Sequence, residues 1–227
     1  APAGDTAAMV AARERVLAGG HFEPLSAAVA AAAAEGGAGA IVEVGAGTAH
    51  HLARALERAP ERRGIALDVS RPALRRAARA HPRAAAVGAD AWRPLPLRDG
   101  VAGAVLCVFA PRHGPELHRV LAPGGVLVVA TPEPGHLAEL RGALGLLDVD
   151  PRKPQRLARR LGDGFAPRSS ARVAWTMRLD REAQVALAAM GPSAFHVEAA
   201  ELERRAAALP ARLDVTAAVT VAVYDRR

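Results

Sequence analysis

A chain of 227 residues fits one large domain or one domain with an appendage, and its single cysteine, Cys107, excludes an internal disulfide and a cysteine-based zinc site. The net charge is +7 and every cation except Lys153 is an arginine, whose planar fork suits phosphate. No leader and no run long enough to span a membrane is visible, so a cytoplasmic setting is expected. Hydrophobic residues make up 51% of the chain but aromatics only 3%, so helices form readily and the core fills with small aliphatic side chains.

In chain order, Asp5 to Ala18 reads as an amphipathic helix capped by Asp5 or Thr6 and stopped by Gly19 and Gly20. Pro24 opens a second helix that runs to about Ala34. Residues 1–36 therefore form an amino-terminal helical segment ahead of a domain spanning 37–227. Ala40 to Val44 is an apolar strand bounded by glycine, followed by a helix from Thr48 to Arg58. Further strands are expected at Gly64 to Asp68, Ala84 to Gly88, Val101 to Val108 and Val126 to Ala130, with helices at Pro72 to Ala80 and Glu116 to Leu121 between them. A basic stretch with several breakers, 142–169, reads as an insertion. Val173 to Leu179 is a strand, Arg181 to Met190 and Glu198 to Ala208 are helices, and the alternating Asp214 to Tyr224 is a long antiparallel strand. The fold class expected is α/β, a doubly wound, mostly parallel sheet of seven strands with helices ahead of it.

In such a sheet, ligands bind outside the carboxyl ends of the strands, where the strand order reverses. Glu43-Val44-Gly45-Ala46-Gly47-Thr48 ends the first strand there. Glycine lets the backbone approach a ligand closely. A dinucleotide fingerprint would place a third glycine where this chain has His50, and Glu43 would repel a pyrophosphate. A carboxylate at that position welcomes an ammonium or a sulfonium, which points to S-adenosylmethionine. Asp68 lies 25 residues further on, at the end of the second strand, and can accept both ribose hydroxyls of an adenosine. Asp90, with Ala91 and Trp92 beside it, follows the third strand and is placed to accept from the adenine amino group. Each acid taken singly could merely cap a turn or a helix; the three together, in order and each at a strand end, make the stronger signal. The adjacent His50 and His51 do not form a metal site by pattern, since neighbouring helical residues point apart.

Glu43 to Thr48, Leu67-Asp68-Val69-Ser70, Gly88-Ala89-Asp90 and Leu121-Ala122-Pro123-Gly124-Gly125 resemble the motif series of class I methyltransferases. A narrower set is Gly4-Asp5-Thr6-Ala7-Ala8-Met9, Gly20-His21-Phe22-Glu23-Pro24-Leu25, Phe109-Ala110-Pro111, Ala130-Thr131-Pro132 and Gly135-His136-Leu137. It resembles the 23S rRNA guanine-N1 methyltransferases of the RlmA type, which include macrolide-resistance members. The resemblance covers essentially the whole chain. It implies that Phe22 and His136 contact the cofactor, that Ala46 and Gly47 flank its methionine part, that 23S rRNA is the partner, and that the chain leans towards a homodimer. Family members carry a small zinc-binding module of cysteines and a histidine ahead of the motif that is Gly4-Asp5 here, and that module is expected to be absent from this chain.

Methylation at N1 needs an unpaired or extruded guanine. Much of the catalysis can come from aligning N1 with the reactive methyl group. Phe109, after the fourth strand, could stack on the base or pack in the core, and His113 is a candidate base on position alone. Arg152, Lys153, Arg156, Arg159 and Arg160 crowd one segment at spacings of three and four and are expected to contact RNA, with Arg168, Arg172 and Arg178 extending the patch. Two other readings fit the donor motifs: a small-molecule methyltransferase, and a cofactor- and RNA-binding protein without turnover.

Overall fold

The computed structural model describes residues 4–146, 161–191, 194, 197 and 199–227. Two helices come first, α1 (Ala7–Ala18) and α2 (Glu23–Ala34). Thr6 rather than Asp5 caps α1, its hydroxyl accepting from Met9 N at 3.3 Å. Strands and helices then alternate: β1 (Ala40–Val44), α3 (His50–Arg58), β2 (Gly64–Asp68), α4 (Arg71–Ala77), β3 (Ala84–Gly88), β4 (Ala102–Val108), α5 (Gly114–Val120) and β5 (Leu121–Pro132). After α6 (Ala138–Leu144) and a 3-10 turn at Gly162–Gly164 come β6 (Phe165–Asp180), α7 (Arg181–Ala189), α8 (Ala199–Ala207) and β7 (Arg212–Arg226).

The seven strands form one sheet in the order β3-β2-β1-β4-β5-β7-β6. The first five are parallel, and β7 runs antiparallel to both β5 and β6. The order reverses between β1 and β4, which places a ligand crevice at the carboxyl ends of those two strands.

Both faces of the central strands are buried, as the strict alternation shows. Ile41, Ala104, Leu106, Val126 and Val128 pack on one face with α1, α2, α3, α6, α7 and α8. Val42, Val44, Val105, Cys107, Leu127 and Val129 pack on the other, under α5 and the connection through Leu95. The amino-terminal helices thus belong to the same core as the sheet: Leu25, Val29 and Ala33 of α2 are all buried there. Cys107 is a core residue whose thiol burial pushes up to about 12, so it stays a neutral thiol.

Three elements differ from the sequence expectation. β6 starts at Phe165, well before Val173, because it pairs with β7 along its whole length; Pro167 is absorbed by a register shift between Pro167 and Ser169 on what is an edge strand. Residues 138–144 form a helix despite Gly142, and residues 165–169 already belong to β6, so both ends of the stretch 142–169 are part of regular elements. β5 already pairs at Leu121, and Pro123-Gly124-Gly125 is accommodated by a register shift opposite Ala102 and Ala104.

Some of the arginine excess is structural. Arg62 donates to the carbonyls of Gly39, Ala33 and Ala40, and Arg83 to those of Ala59, Arg62 and Leu56. Arg119 holds Leu95 O, Leu97 O, Glu116 and Asp99. Each guanidinium satisfies several loop carbonyls at once, which one ammonium could not do in the same geometry.

Candidate cofactor site

The turn after β1 is built by glycine. Gly45 and Gly47 have φ of +66° and +54°, and Gly45 is exposed. A Cβ at Gly45 would lie 2.8 Å from Ala110 Cβ, in the connection after β4, so the turn and the β4 end close on each other across the switch point. Ala46 N donates to Leu67 O at 3.0 Å, and Gly47 N donates to Asp68 Oδ2 at 2.8 Å. Asp68 Oδ1 accepts from Ser70 N at 2.8 Å. The carboxylate is therefore held by two backbone donors at the rim, half-buried, with lone pairs left for a diol. Ser70 caps α4 through Ala73 N, which leaves Asp68 free of that duty.

Glu43 lies beneath the turn rather than on its rim. It is 2% exposed, and its Oε2 accepts from Leu52 N in the first turn of α3 at 3.1 Å. Burial pushes its carboxyl up to about 8, against the opposing pull of the Leu52 hydrogen bond; Asp68 raises it further and Arg13 lowers it. Its neighbour in the same core, His51, is driven down to about 3 by burial and bonds Ser26 Oγ through Nδ1 at 3.0 Å. The two groups bound stability from opposite sides. Glu43 binds its proton more tightly when folded, so its stabilisation is complete below about 4.5 and is lost as pH rises through about 8. His51 contributes fully above about 6.5 and loses its contribution as pH falls through about 3. Glu43→Gln keeps an acceptor for Leu52 N without the buried charge. Thermal denaturation between about pH 5 and about pH 9 should therefore show a flatter decline for the variant than for the wild type; parallel curves would show that Glu43 does not titrate in that range.

At the end of β3, Asp90 Oδ1 accepts from Trp92 N at 2.9 Å, and Oδ2 lies 3.6 Å from Arg93 Nε. Asp90 thus folds its own turn while remaining half-buried at the strand end, with Ala91 packed beside it and Trp92 45% exposed.

On the other side of the crevice, rings line up. The chain has only seven Phe, Trp and Tyr side chains, yet Trp175, Phe22, His136 and Phe109 are in sequential contact, with centroid separations of 5.7, 6.4 and 5.8 Å. Phe22 is buried, and Trp175 Nε1 donates to His21 O at 2.8 Å, which ties β6 to the loop before α2. His136 Nδ1 accepts from Ala218 N at 3.2 Å, so the neutral ring carries its proton on Nε2. Phe109 departs from core packing: it is 41% exposed, has φ of +53°, and its N–H donates to Ala130 O. A left-handed phenylalanine at a strand end is a strained conformation of the kind found at functional sites. His113 is the N-cap of α5, with its Nδ1 buried and lacking a hydrogen-bond partner among the described residues.

The structure therefore brings Gly45, Ala46, Gly47, Asp68 and Asp90 to one rim, with Glu43 below it, and Phe22, His136 and Phe109 to an aromatic wall. Arg152, Lys153, Arg156, Arg159 and Arg160 lie outside the described residues. Arg168, Arg172 and Arg178 sit on β6 paired with Asp225 and Glu35, with Glu133, and with Asp214, so they are locally neutralised rather than a free cationic patch. Among the described residues there is no group of three or more His, Cys, Asp or Glu placed to hold a metal, and no helix long and apolar enough to cross a membrane. One contact escaped the sequence reading altogether: Arg13 of α1 reaches the Gly47 turn. Nothing local distinguishes it from the other arginines, and only the packing of α1 beside the turn reveals it.

A seven-stranded sheet with this order, a glycine turn at its switch point and an acid after β2 defines a class I S-adenosylmethionine-dependent methyltransferase. The family profile described as a methyltransferase domain matches residues 41–125. A Thiobacillus denitrificans SAM-dependent methyltransferase, solved in complex with S-adenosyl-L-homocysteine, shares the fold: TM-score 0.54 and 15% identity, covering 89% of this chain and 90% of that one. Sequence relatives are far nearer. The 23S rRNA (guanine(748)-N(1))-methyltransferase of Streptomyces fradiae is 51% identical over 225 residues, covering 97% of this chain and 80% of the relative. A Micromonospora griseorubida protein described as a candidate 23S rRNA (guanine-N(1)-)-methyltransferase is 48% identical with the same coverage. The chain belongs to the 23S rRNA guanine-N1 methyltransferase family.

Proposed function

We infer that this chain transfers the methyl group of S-adenosylmethionine to N1 of a guanine in 23S rRNA, at the position equivalent to the guanine 748 named for the S. fradiae relative. The observation that carries the acceptor is the 51% identity across 97% of the chain, because the turn and its acids define only the donor. The residues fit that donor: an exposed turn without a Cβ at Gly45, and a carboxylate fixed by two backbone N–H groups at Asp68. When bound, the cofactor supplies a sulfonium-activated methyl group. Asp68 holds the ribose hydroxyls, Asp90 and Ala91 border the adenine, and Gly45, Ala46 and Gly47 flank the methionine part. Phe22 and His136 wall that side. Glu43 fixes α3 to β1 through its bond from Leu52 N.

The acceptor guanine enters from the β4 side. The half-exposed ring of Phe109, beside His136 at 5.8 Å, offers a face on which an extruded base can stack. Transfer would form the N1–methyl bond as the sulfur–methyl bond of the donor breaks, with S-adenosylhomocysteine as the leaving group and the N1 proton lost to a base. His113, at the start of α5, is the positional candidate to receive it. The cluster at 152–160 supplies the electrostatic grip on phosphates, and a cytoplasmic homodimer completes the reading.

The test is methyl transfer from labelled cofactor to unmodified large-subunit rRNA. Label should enter RNA, and Phe109→Ala should reduce its incorporation by about tenfold or more with cofactor affinity unchanged. Label accumulating in small molecules instead would support the small-molecule reading, and cofactor binding without transfer the non-catalytic one.

A further inference from the structure

Arg13 projects from α1 onto the glycine turn. A Cβ built at Gly47 would lie 3.0 Å from Arg13 Nη1 and 3.4 Å from its Cδ, so the guanidinium covers the side of the turn that glycine leaves open. Its side chain is 26% exposed and is held from two directions. Nη2 donates to Met190 O at 2.9 Å, at the end of α7, and Nη1 is ion-paired with Asp5. Asp5 is itself anchored at the rim, since its carbonyl accepts from Ser70 Oγ at 2.7 Å, two residues from Asp68.

The rest of the rim carries two carboxylates: Asp68 on the Gly47 N–H and Asp90 at the end of β3. Those groups suit hydroxyls, an amine and a sulfonium, but they repel the carboxylate in which the methionine half of the donor ends. A donor site lined this way needs one cation at the methionine end, and Arg13 is the guanidinium set against that part of the turn. Its planar fork can give a carboxylate two parallel N–H bonds while Asp5 and Met190 O fix its orientation.

We propose that Arg13 is the carboxylate-binding residue of the donor site, taking the α-carboxylate of the methionine moiety, with Asp5 as the positioning residue that holds the guanidinium over Gly47. This rests on the donor reading above. The test is calorimetric titration of the full chain with S-adenosylhomocysteine and with its decarboxylated analogue, which keeps the nucleoside, thioether and amine. The wild type should prefer the carboxylate-bearing ligand by about 10- to 100-fold. Arg13→Met should weaken that ligand by a similar factor while the analogue's affinity stays within about threefold, which also reports that the variant is folded. Should Arg13→Met fail to fold, Arg13→Lys, which keeps a point charge without the fork, should lose about three- to tenfold on S-adenosylhomocysteine alone. Equal losses on both ligands, or no loss on either, would overturn the assignment while leaving the donor reading intact. A wild-type chain that binds neither ligand would overturn both.

Discussion

Asp68→Ala is expected to cost about 100-fold or more in affinity for S-adenosylhomocysteine, the largest loss of any single side chain at the rim. Two charge-assisted bonds to a ribose diol disappear together, each worth about 1.5–3 kcal/mol. The backbone also suffers. Gly47 N and Ser70 N both donate to this carboxylate, at 2.8 Å each, so its removal frees the turn at one end and the β2–α4 connection at the other. Asp68→Asn keeps one acceptor but turns an amide N–H₂ towards one of these donors, and should fall between the two, at about tenfold. Calorimetry on both variants checks the order. An Asp68→Ala protein that binds as tightly as the wild type would mean that the ribose sits elsewhere.

Gly45→Val should be the most damaging backbone change. The position combines φ of +66° with a Cβ that would stand 2.8 Å from Ala110 Cβ. A β-branched residue there pays left-handed strain and collides with the connection that leads to Phe109, at a combined cost of about 2–4 kcal/mol. The turn and the β4 end must then separate, so cofactor binding should be lost even in the fraction that folds. Chemical denaturation and calorimetry together check both halves. Gly45→Ala should show the same effects at smaller size, because one methyl meets one methyl.

These effects could be anticipated from sequence to an uneven degree. The strands β1 to β5 and the acids at their ends were legible because each is a short apolar run with an acid or a glycine at its edge, a signal carried entirely by neighbouring residues. Helix caps are legible on the same local ground: Ser70 and Asp180 each stand just before a helix and accept from the N–H three residues on. The early start of β6 was not. Ser169 falls in the basic stretch that reads as an insertion, and it becomes strand only because β7 lies alongside, with Val223 as its partner. α6 was hidden by Gly142. The exposure of Phe109 could not be read either, since an aromatic after a buried strand ordinarily continues the core, and its φ of +53° has no local signature. The Arg13 contact spans 34 residues of sequence to Gly47 and has no local signature. What the sequence lacks, in each case, is a partner brought in from far along the chain.

The most direct measurement is primer extension across 23S rRNA after incubation with this chain, with and without S-adenosylmethionine. A methyl group on N1 blocks the pairing edge of guanine and arrests the polymerase. The prediction is a cofactor-dependent arrest immediately 3′ to the guanine equivalent to position 748 of the S. fradiae relative's name, lost in Asp68→Ala. Label transferred to RNA with no arrest at any guanine, or to small molecules with the RNA unmodified, would contradict it.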